Sequence, residues 1–414
     1  MQSKTGECRQ VESLMARKDY FILIGLVIFN LILRIFRLDS PTDAFFDERV
    51  FYLDAAKSYL TGFTDPNFEH PPLGKIFIAA GIWLFGDNPW GWRLPSVVFG
   101  TLGIVITYLL AKKIFKRTKI AVLSSFFITF DFLWFIHSRA ALLEIFLATF
   151  SLITLYFFWN YYQERKFRDL VLTGVFLGLA LGVKWSAIFV LLGIVILLVL
   201  EGVKQDLRGL VGKLSLMASL TFLVYFLTYI PFLTQNHTPL QVWDRQVKIW
   251  TYHTKDIQKN AYGAIRPYLW VLNPPHTFYH PEKNSSQYIL GLANPFLFWG
   301  GLLALSYYAR KIIKGWKKEI GFLLIFIFSL YVPWFLVGRY VFFYYFLAGL
   351  PLLSILLAKG LVDLDLAEGK WGKMALSLRS GFITGNVLGF ILFYPLLTAL
   401  PVTTIYLQVL FGAS

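Results

Sequence analysis

The sequence predicts an all-α integral membrane protein, and three observations lead there: composition, long apolar runs and the placement of charge. Of the 414 residues, 57% are hydrophobic and 15% charged, with a mean hydropathy of +0.60. A soluble domain is about 45–50% apolar and about 25% charged. Too few polar groups remain to coat a water-facing surface, so the apolar surface is expected to face lipid. Crossing a bilayer takes about 20 apolar residues. Eleven segments qualify as predicted spans: 20–38, 93–115, 120–137, 140–161, 169–184, 185–201, 213–234, 288–309, 319–337, 340–358 and 379–400. Aromatic residues make up 18% of the chain, and Tyr and Trp suit the headgroup zone.

Charge orients these spans. The net charge of +15 would suggest nucleic acid in a soluble protein, but here Lys and Arg concentrate in short loops on one side. Lys112, Lys113, Lys116, Arg117 and Lys119 form one group, Arg165, Lys166 and Arg168 a second, and Arg310, Lys311, Lys314, Lys317 and Lys318 a third. Cytoplasmic loops carry such an excess, which places the N-terminus inside and, with eleven spans, the C-terminus outside. Nucleic acid is not an expected partner. The first apolar run is long enough to span and lacks a small-residue cleavage site, so no cleavable signal peptide is expected. Cys8 is the only cysteine, which excludes an intrachain disulfide and a cysteine-rich metal site.

Two long segments then fall outside, 39–92 and 235–287. The expected organisation is an N-terminal membrane module over 1–234 that contains the first outer loop, a second outer loop over 235–287, and a C-terminal membrane module over 288–414. Residues 73–86 are apolar but short, and predict a helix lying in the interface. The first loop is rich in Asp and Glu; the second carries His237, His253, His276 and His280 among Trp and Tyr. Functional polar groups therefore gather on the outer face.

Five motifs carry chemistry-bearing residues. Asp47 and Glu48 are adjacent just after the first span, and carboxylates at a membrane surface are costly to dehydrate unless used or paired. Alone, the dipeptide also fits a solvated loop or pairing with Arg49. His70-Pro71-Pro72-Leu73-Gly74-Lys75 fixes the backbone twice and opens the short helix at a defined angle; alone it is only a turn and a helix start. Ser138-Arg139 stands at a span end, followed within apolar sequence by Glu144. A guanidinium offers a rigid fork of donors for phosphate, although Arg139 also suits a side chain snorkelling to headgroups. Lys184 and Arg339 fall at outer helix ends too. Three cations at one depth beside an acidic loop fit an anionic lipid headgroup.

Together these motifs resemble the protein O-mannosyltransferase family, membrane glycosyltransferases of the C-type fold. Phe46-Asp47-Glu48 resembles the family's Asp-Glu motif, and His70 to Lys75 its His-Pro-Pro-Leu-Gly-Lys stretch. Ser138-Arg139 is similar to its Ser-Arg motif, and Gly178 to Trp185 to its Gly-rich stretch ending in Lys-Trp. Trp250 to His253, Tyr262, Pro267, Trp270, Asn294-Pro295, Pro333-Trp334, Arg339 and Tyr394-Pro395 continue the match. Glu144 stands where the family usually has Asp, and Ala293 where Gly precedes Asn-Pro. The lectin-like insertion of the eukaryotic enzymes is absent, as in bacterial members.

The resemblance implies a polyprenyl-phosphate-linked mannose donor and transfer with inversion to a Ser or Thr hydroxyl of a translocating protein. The implied site is at the outer face of the plasma membrane, with the lipid bilayer and the secretion translocon as partners. Asp47 is the expected general base and Glu48 the residue that positions the acceptor, with the two roles still exchangeable. Arg139 is the first choice for clamping the donor phosphate, with Arg339 and Lys184 behind it. His70, Pro71, Lys75, Glu144 and His253 are expected to shape the acceptor side. No cofactor or metal is expected, because cations supply the charge and phosphate leaves as a stable anion. Some relatives of this fold use a divalent ion, so metal dependence stays open. Two other readings remain: transfer of a lipid-linked sugar to a glycolipid or cell-wall acceptor, and a transporter, which the lack of inverted repeats and of midplane charges argues against.

Overall fold

In the computed structural model, which describes residues 17–202, 207–255, 261, 263–279, 287–364 and 370–411, the first helix already shows what solvent the fold is built for. Helix α1 (Arg17–Ile35) buries Asp19, Asn30 and Arg34 while exposing Phe21, Ile24 and Ile32. Polar inside and apolar outside is the arrangement hydrocarbon selects. Tyr108 and Lys112 reach Asp19 at 2.6 and 3.1 Å and tie the start of α1 to its neighbour. Cys8, Tyr262 and His280 lie outside the described residues.

After a π-helical turn at Glu48–Tyr52, the first outer loop forms α2 (Leu53–Thr61) and α3 (Leu73–Phe85), the latter being the helix predicted over 73–86. Helix α4 (Pro89–Phe115) starts on an Asn88 cap that accepts from Trp90 and Gly91, has Pro89 in its first turn, and ends among Lys112 and Lys113. Those termini follow from capping and from the helix dipole. Helices α3 and α4 approach closely at Gly81, where a Cβ would lie 2.2 Å from the Gly91 carbonyl.

The chain continues through α5 (Thr118–Thr129), α6 (Phe132–His137), α7 (Glu144–Glu164), α8 (Phe167–Val183), α9 (Ile188–Gly202) and α10 (Leu207–Leu227). After the short α11 (Ile230–Leu233) comes α12 (Pro239–Thr254), opened by a capping box between Thr238 and Gln241. An antiparallel hairpin follows, β1 (His276–Tyr279) with β2 (Ile289–Gly291), in the register His276 to Gly291. The rest is α13 (Pro295–Ile313), α14 (Lys318–Tyr331), α15 (Leu350–Leu364), α16 (Lys370–Leu397) and α17 (Thr404–Phe411). Helix α7 and the segment Phe343–Leu364 are buried over most of their length, whereas α10 and Leu376–Leu397 face mostly outward.

Among the described residues, six helical segments are long and apolar enough to cross a membrane: Pro89–Phe115, Glu144–Glu164, Arg208–Leu227, Lys318–Leu336, Phe343–Leu364 and Leu376–Leu397. Several predicted spans are broken. The run 120–137 splits at Asp131, whose carboxylate caps α6 at Trp134 N and also accepts from Asn294 N at 2.8 Å. The run 140–161 begins only at Glu144, because 138–143 is irregular. The run 288–309 opens as β2, and its helix starts at Pro295 behind an Asn294 cap. The run 340–358 begins with 3-10 turns over Phe343–Gly349. In each case a polar cap or a backbone irregularity interrupts a continuous apolar pattern, and hydropathy cannot register that.

Candidate active site

The acidic dipeptide is split by the backbone. Phe46 adopts a left-handed φ of 49°, a conformation a bulky residue takes only when its surroundings hold it there. Its ring packs on Phe278 and His276 of the hairpin at 4.7 and 5.1 Å, and on Tyr344 at 5.8 Å. Beyond that reversal Asp47 and Glu48 serve different surroundings.

Glu48 is fully buried and fully used. Arg93 Nε and Nη2 donate to its two oxygens at 3.1 and 3.0 Å, Ala141 N at 2.6 Å and Phe45 N at 3.3 Å. The other Arg93 bonds gather the carbonyls of Leu38, Pro41 and Asp43. Glu48 is thus the anchor of the first loop, and the acceptor-positioning role expected of it does not fit a carboxylate without a free lone pair facing a cavity. Arg93 was missed in the sequence, although a charge four residues into an apolar helix was the available signal.

Asp47 is only partly buried and has a different neighbourhood: the Tyr52 hydroxyl, Glu144, Lys184 and Glu69. Burial, then the negative charge of Glu144, push its carboxyl up to about 7; Lys184 and the Tyr52 hydroxyl pull the other way. A carboxyl poised near neutrality is what a general base requires.

Beside it lies a cavity of about 240 Å³. Lys184, at the extended residue that ends α8, ion-pairs with Glu144, the first residue of α7, and sits 5.8 Å from the Tyr345 ring centre. The other Glu144 oxygen faces His137 Nδ1 at 3.9 Å. Arg339, also in the lining, lies 4.9 Å from the ring centres of both Tyr252 and Tyr340 and donates to His253 Nδ1 at 2.8 Å. His253 Nε2 meets the Glu69 carbonyl at 3.0 Å, so the neutral tautomer with hydrogen on Nε2 satisfies both contacts. Burial and the adjacent Arg339 hold His253 down to about 4. His70 stacks on it at 5.8 Å and is also held well below its usual range, by burial and by Lys184. The remaining wall, including Leu147, Ile188, Phe189 and Trp334, is apolar. The cavity is therefore a largely apolar trough whose lining includes two cations, Lys184 and Arg339.

Lys75 shapes this site from behind. Its ammonium is buried, binds Asp65 at 2.8 Å and the carbonyls of Asn67 and His70, and so fixes the loop that carries Glu69 and His70. Pro71, also buried, continues that loop into α3. Arg245 of α12 joins the same carboxylate at 2.9 Å. Lys75→Ala would leave Asp65 buried beside a single cation, and removing one member of a buried ion pair costs about 3–5 kcal/mol. Thermal unfolding in detergent should show a lower midpoint for that variant, and an unchanged midpoint would contradict this role.

Arg139, the expected phosphate clamp, is elsewhere. Its Nη1 donates to the Arg34 and Phe36 carbonyls and its Nη2 to the Arg37 carbonyl, each at 2.6 Å. It closes the C-terminal end of α1, where backbone carbonyls lack helical partners and favour a cation. It does not line the cavity. Charged hydrogen bonds contribute about 1.5–3 kcal/mol each. Arg139→Ala should therefore lower thermal stability while leaving the donor KM of the folded fraction within about threefold. A tenfold rise in that KM with unchanged stability would restore the clamp role. Among the described residues no three His, Cys, Asp or Glu side chains converge as a metal-ligand set.

The family described as dolichyl-phosphate-mannose-protein mannosyltransferase matches residues 69–232. Polyprenol-phosphate-mannose–protein mannosyltransferases from Mycolicibacterium smegmatis and Mycobacterium tuberculosis are 24% and 23% identical to this chain. They align with 91% and 92% of it and with 89% of their own lengths. The chain is similar to protein O-mannosyltransferases over most of its length. It is a glycosyltransferase. The Saccharomyces cerevisiae protein O-mannosyltransferase Pmt1-Pmt2 complex, solved bound to the sugar donor, superposes with a TM-score of 0.82 at 13% identity, over 96% of this chain and 92% of that one. ArnT from Cupriavidus metallidurans, bound to undecaprenyl phosphate, superposes at 0.63 and 15% identity, over 92% and 77%. The fold of this chain is thus that of the C-type membrane glycosyltransferases.

Proposed function

We propose that the chain transfers mannose, with inversion, from a polyprenyl-phosphate donor to Ser or Thr hydroxyls of proteins at the outer face of the plasma membrane. The observation that carries this reading is an apolar cavity lined by Lys184, Arg339 and Glu144, with Asp47, a carboxyl poised near neutrality, under the charges of that same Lys184 and Glu144.

The acceptor oxygen attacks the anomeric carbon while Asp47 takes its proton, since an alcohol is a poor nucleophile unaided. The bond from that carbon to the phosphate oxygen breaks, and its electron pair leaves with the lipid phosphate. Lys184 and Arg339 meet the charge that grows on it, which stabilises the transition state more than the ground state. Lys184 has three donors and can keep Glu144 while receiving phosphate. Glu144 keeps that lysine in place and raises Asp47. His70 and His253, both neutral, stack on one another and line the trough.

For topology, the eleven apolar segments are read as spans, with the N-terminus cytoplasmic. Three structural links support one basic face: Lys112 with Asp19, Lys113 with Glu164, and Lys166 with Glu164. Helix α4 rises away from that face for 27 residues, about 40 Å, to the loop that holds the site.

Purified full-length protein, given labelled polyprenyl-phosphate mannose and a Ser/Thr peptide, should yield mannosyl-peptide with the opposite anomeric configuration. Transfer only to an added glycolipid acceptor would replace this reading with the lipid-acceptor alternative. No transfer to either would reject both.

A further inference from the structure

A second cavity, of about 350 Å³, opens at the far end of the bundle, where α4, α13 and α15 end and α14 begins. Its floor is apolar, formed by Ile114, Phe115, Ile312 and Ile320, and its mouth carries Lys116, Lys311 and Lys317. The fourth lysine, Lys359, is already paired with Asp363, whose other oxygen accepts from the Tyr308 hydroxyl at 2.8 Å. Asp363 is therefore occupied at the back of the cavity. Glu319 is the remaining carboxylate of the lining. Among the described residues Lys116 and Lys317 form no ion pair with a carboxylate, and Lys311 meets the Tyr307 side chain, its hydroxyl at 3.3 Å and its ring centre at 5.4 Å.

We infer that this cavity binds an anionic phosphate group, seated between Lys116, Lys311 and Lys317, with its apolar attachment on the isoleucine and phenylalanine floor. Like charges brought together around a concavity repel unless an anion joins them, and low-dielectric walls sharpen the field inside. A basic pocket between transmembrane helices is the chemistry that holds a lipid headgroup. The two cavities share no lining residue, so this site is separate from the one that holds Lys184 and Arg339. The same chemistry is available to an acidic phospholipid of the facing leaflet or to free phosphate from solution.

The test is native mass spectrometry of the full-length protein in detergent, with phosphatidylglycerol or phosphatidylcholine of equal chain length. The wild type should retain phosphatidylglycerol at least tenfold better. The variant K116Q/K311Q/K317Q should lose that preference, while R117Q/K213Q/K314Q, which removes as much positive charge from elsewhere, should keep it. All three cavity lysines are exposed, so the variant is expected to fold, and retained mannosyl transfer verifies that it has. Resistance of the bound lipid to millimolar inorganic phosphate supports the site with a lipid as its source; displacement supports the site with free phosphate as a source. Equal retention of the two lipids, or equal loss in both triple variants, would overturn the inference.

Discussion

Asp47→Asn should abolish mannosyl transfer, by about 10²–10⁴-fold or more, while donor binding persists. The expectation rests on Asp47 being the acid of the first-loop pair left beside the cavity, Glu48 being consumed by Arg93, Ala141 and Phe45. The same assignment fixes a pH profile. A base acts only when ionised. With its carboxyl pushed up to about 7, Asp47 loses its proton as pH rises through neutrality. The kcat/KM of the wild type should therefore fall about tenfold per unit below pH 7 and level off above it. Such a limb is absent for an ordinary carboxylate, which is ionised well below that range. Wild-type activity flat from pH 5 to 8, or near-normal turnover in Asp47→Asn, would remove Asp47 from the role.

Lys184→Gln should produce the second large effect, a loss of about 10²–10³-fold in kcat/KM, typical of removing one donor aimed at developing charge. It carries a signature that simple damage would not. Lys184 holds the Asp47 carboxyl down, whereas Glu144 holds it up. Lys184→Gln should thus move the acid limb of residual activity to higher pH, and Glu144→Gln should move it to lower pH. Measuring both profiles under the same conditions tests the triangle of charges directly. Shifts in the same direction would show that neither side chain acts on Asp47 electrostatically.

Much of this site was legible before any coordinates. The sequence singles out Asp47, His70, Lys184, Glu144, His253 and Arg339, and they gather around or beside one cavity from six separate stretches of chain. The ordered motifs made that legible, since each motif alone is equally a turn, a cap or an interfacial anchor. The errors share a cause. Arg139 and Glu48 were read as chemical groups because a charge in apolar sequence must have a partner, but sequence does not say whether that partner is a ligand or backbone. For Arg139 the partners are the carbonyls closing α1, and for Glu48 they are Arg93 and two backbone amides. Arg93 escaped notice because it stands as the first residue of a predicted apolar span, where a cation also suits an interfacial anchor. Helix existence was read well. Helix breaks at Asp131 and Asn294 were not, because a buried cap leaves hydropathy averages almost unchanged.

The reversal at Phe46 has a consequence for how this loop can vary. Neighbouring acids point apart there because one bulky ring is wedged among His276, Phe278 and Tyr344 while Arg93 draws in the carbonyls on its N-terminal side. Lengthening or shortening the stretch between Pro41 and Phe46 by a single residue would rotate the pair and trade their surroundings. The spacing of this loop segment is therefore under tighter constraint than its composition, and an insertion there would be more damaging than most substitutions.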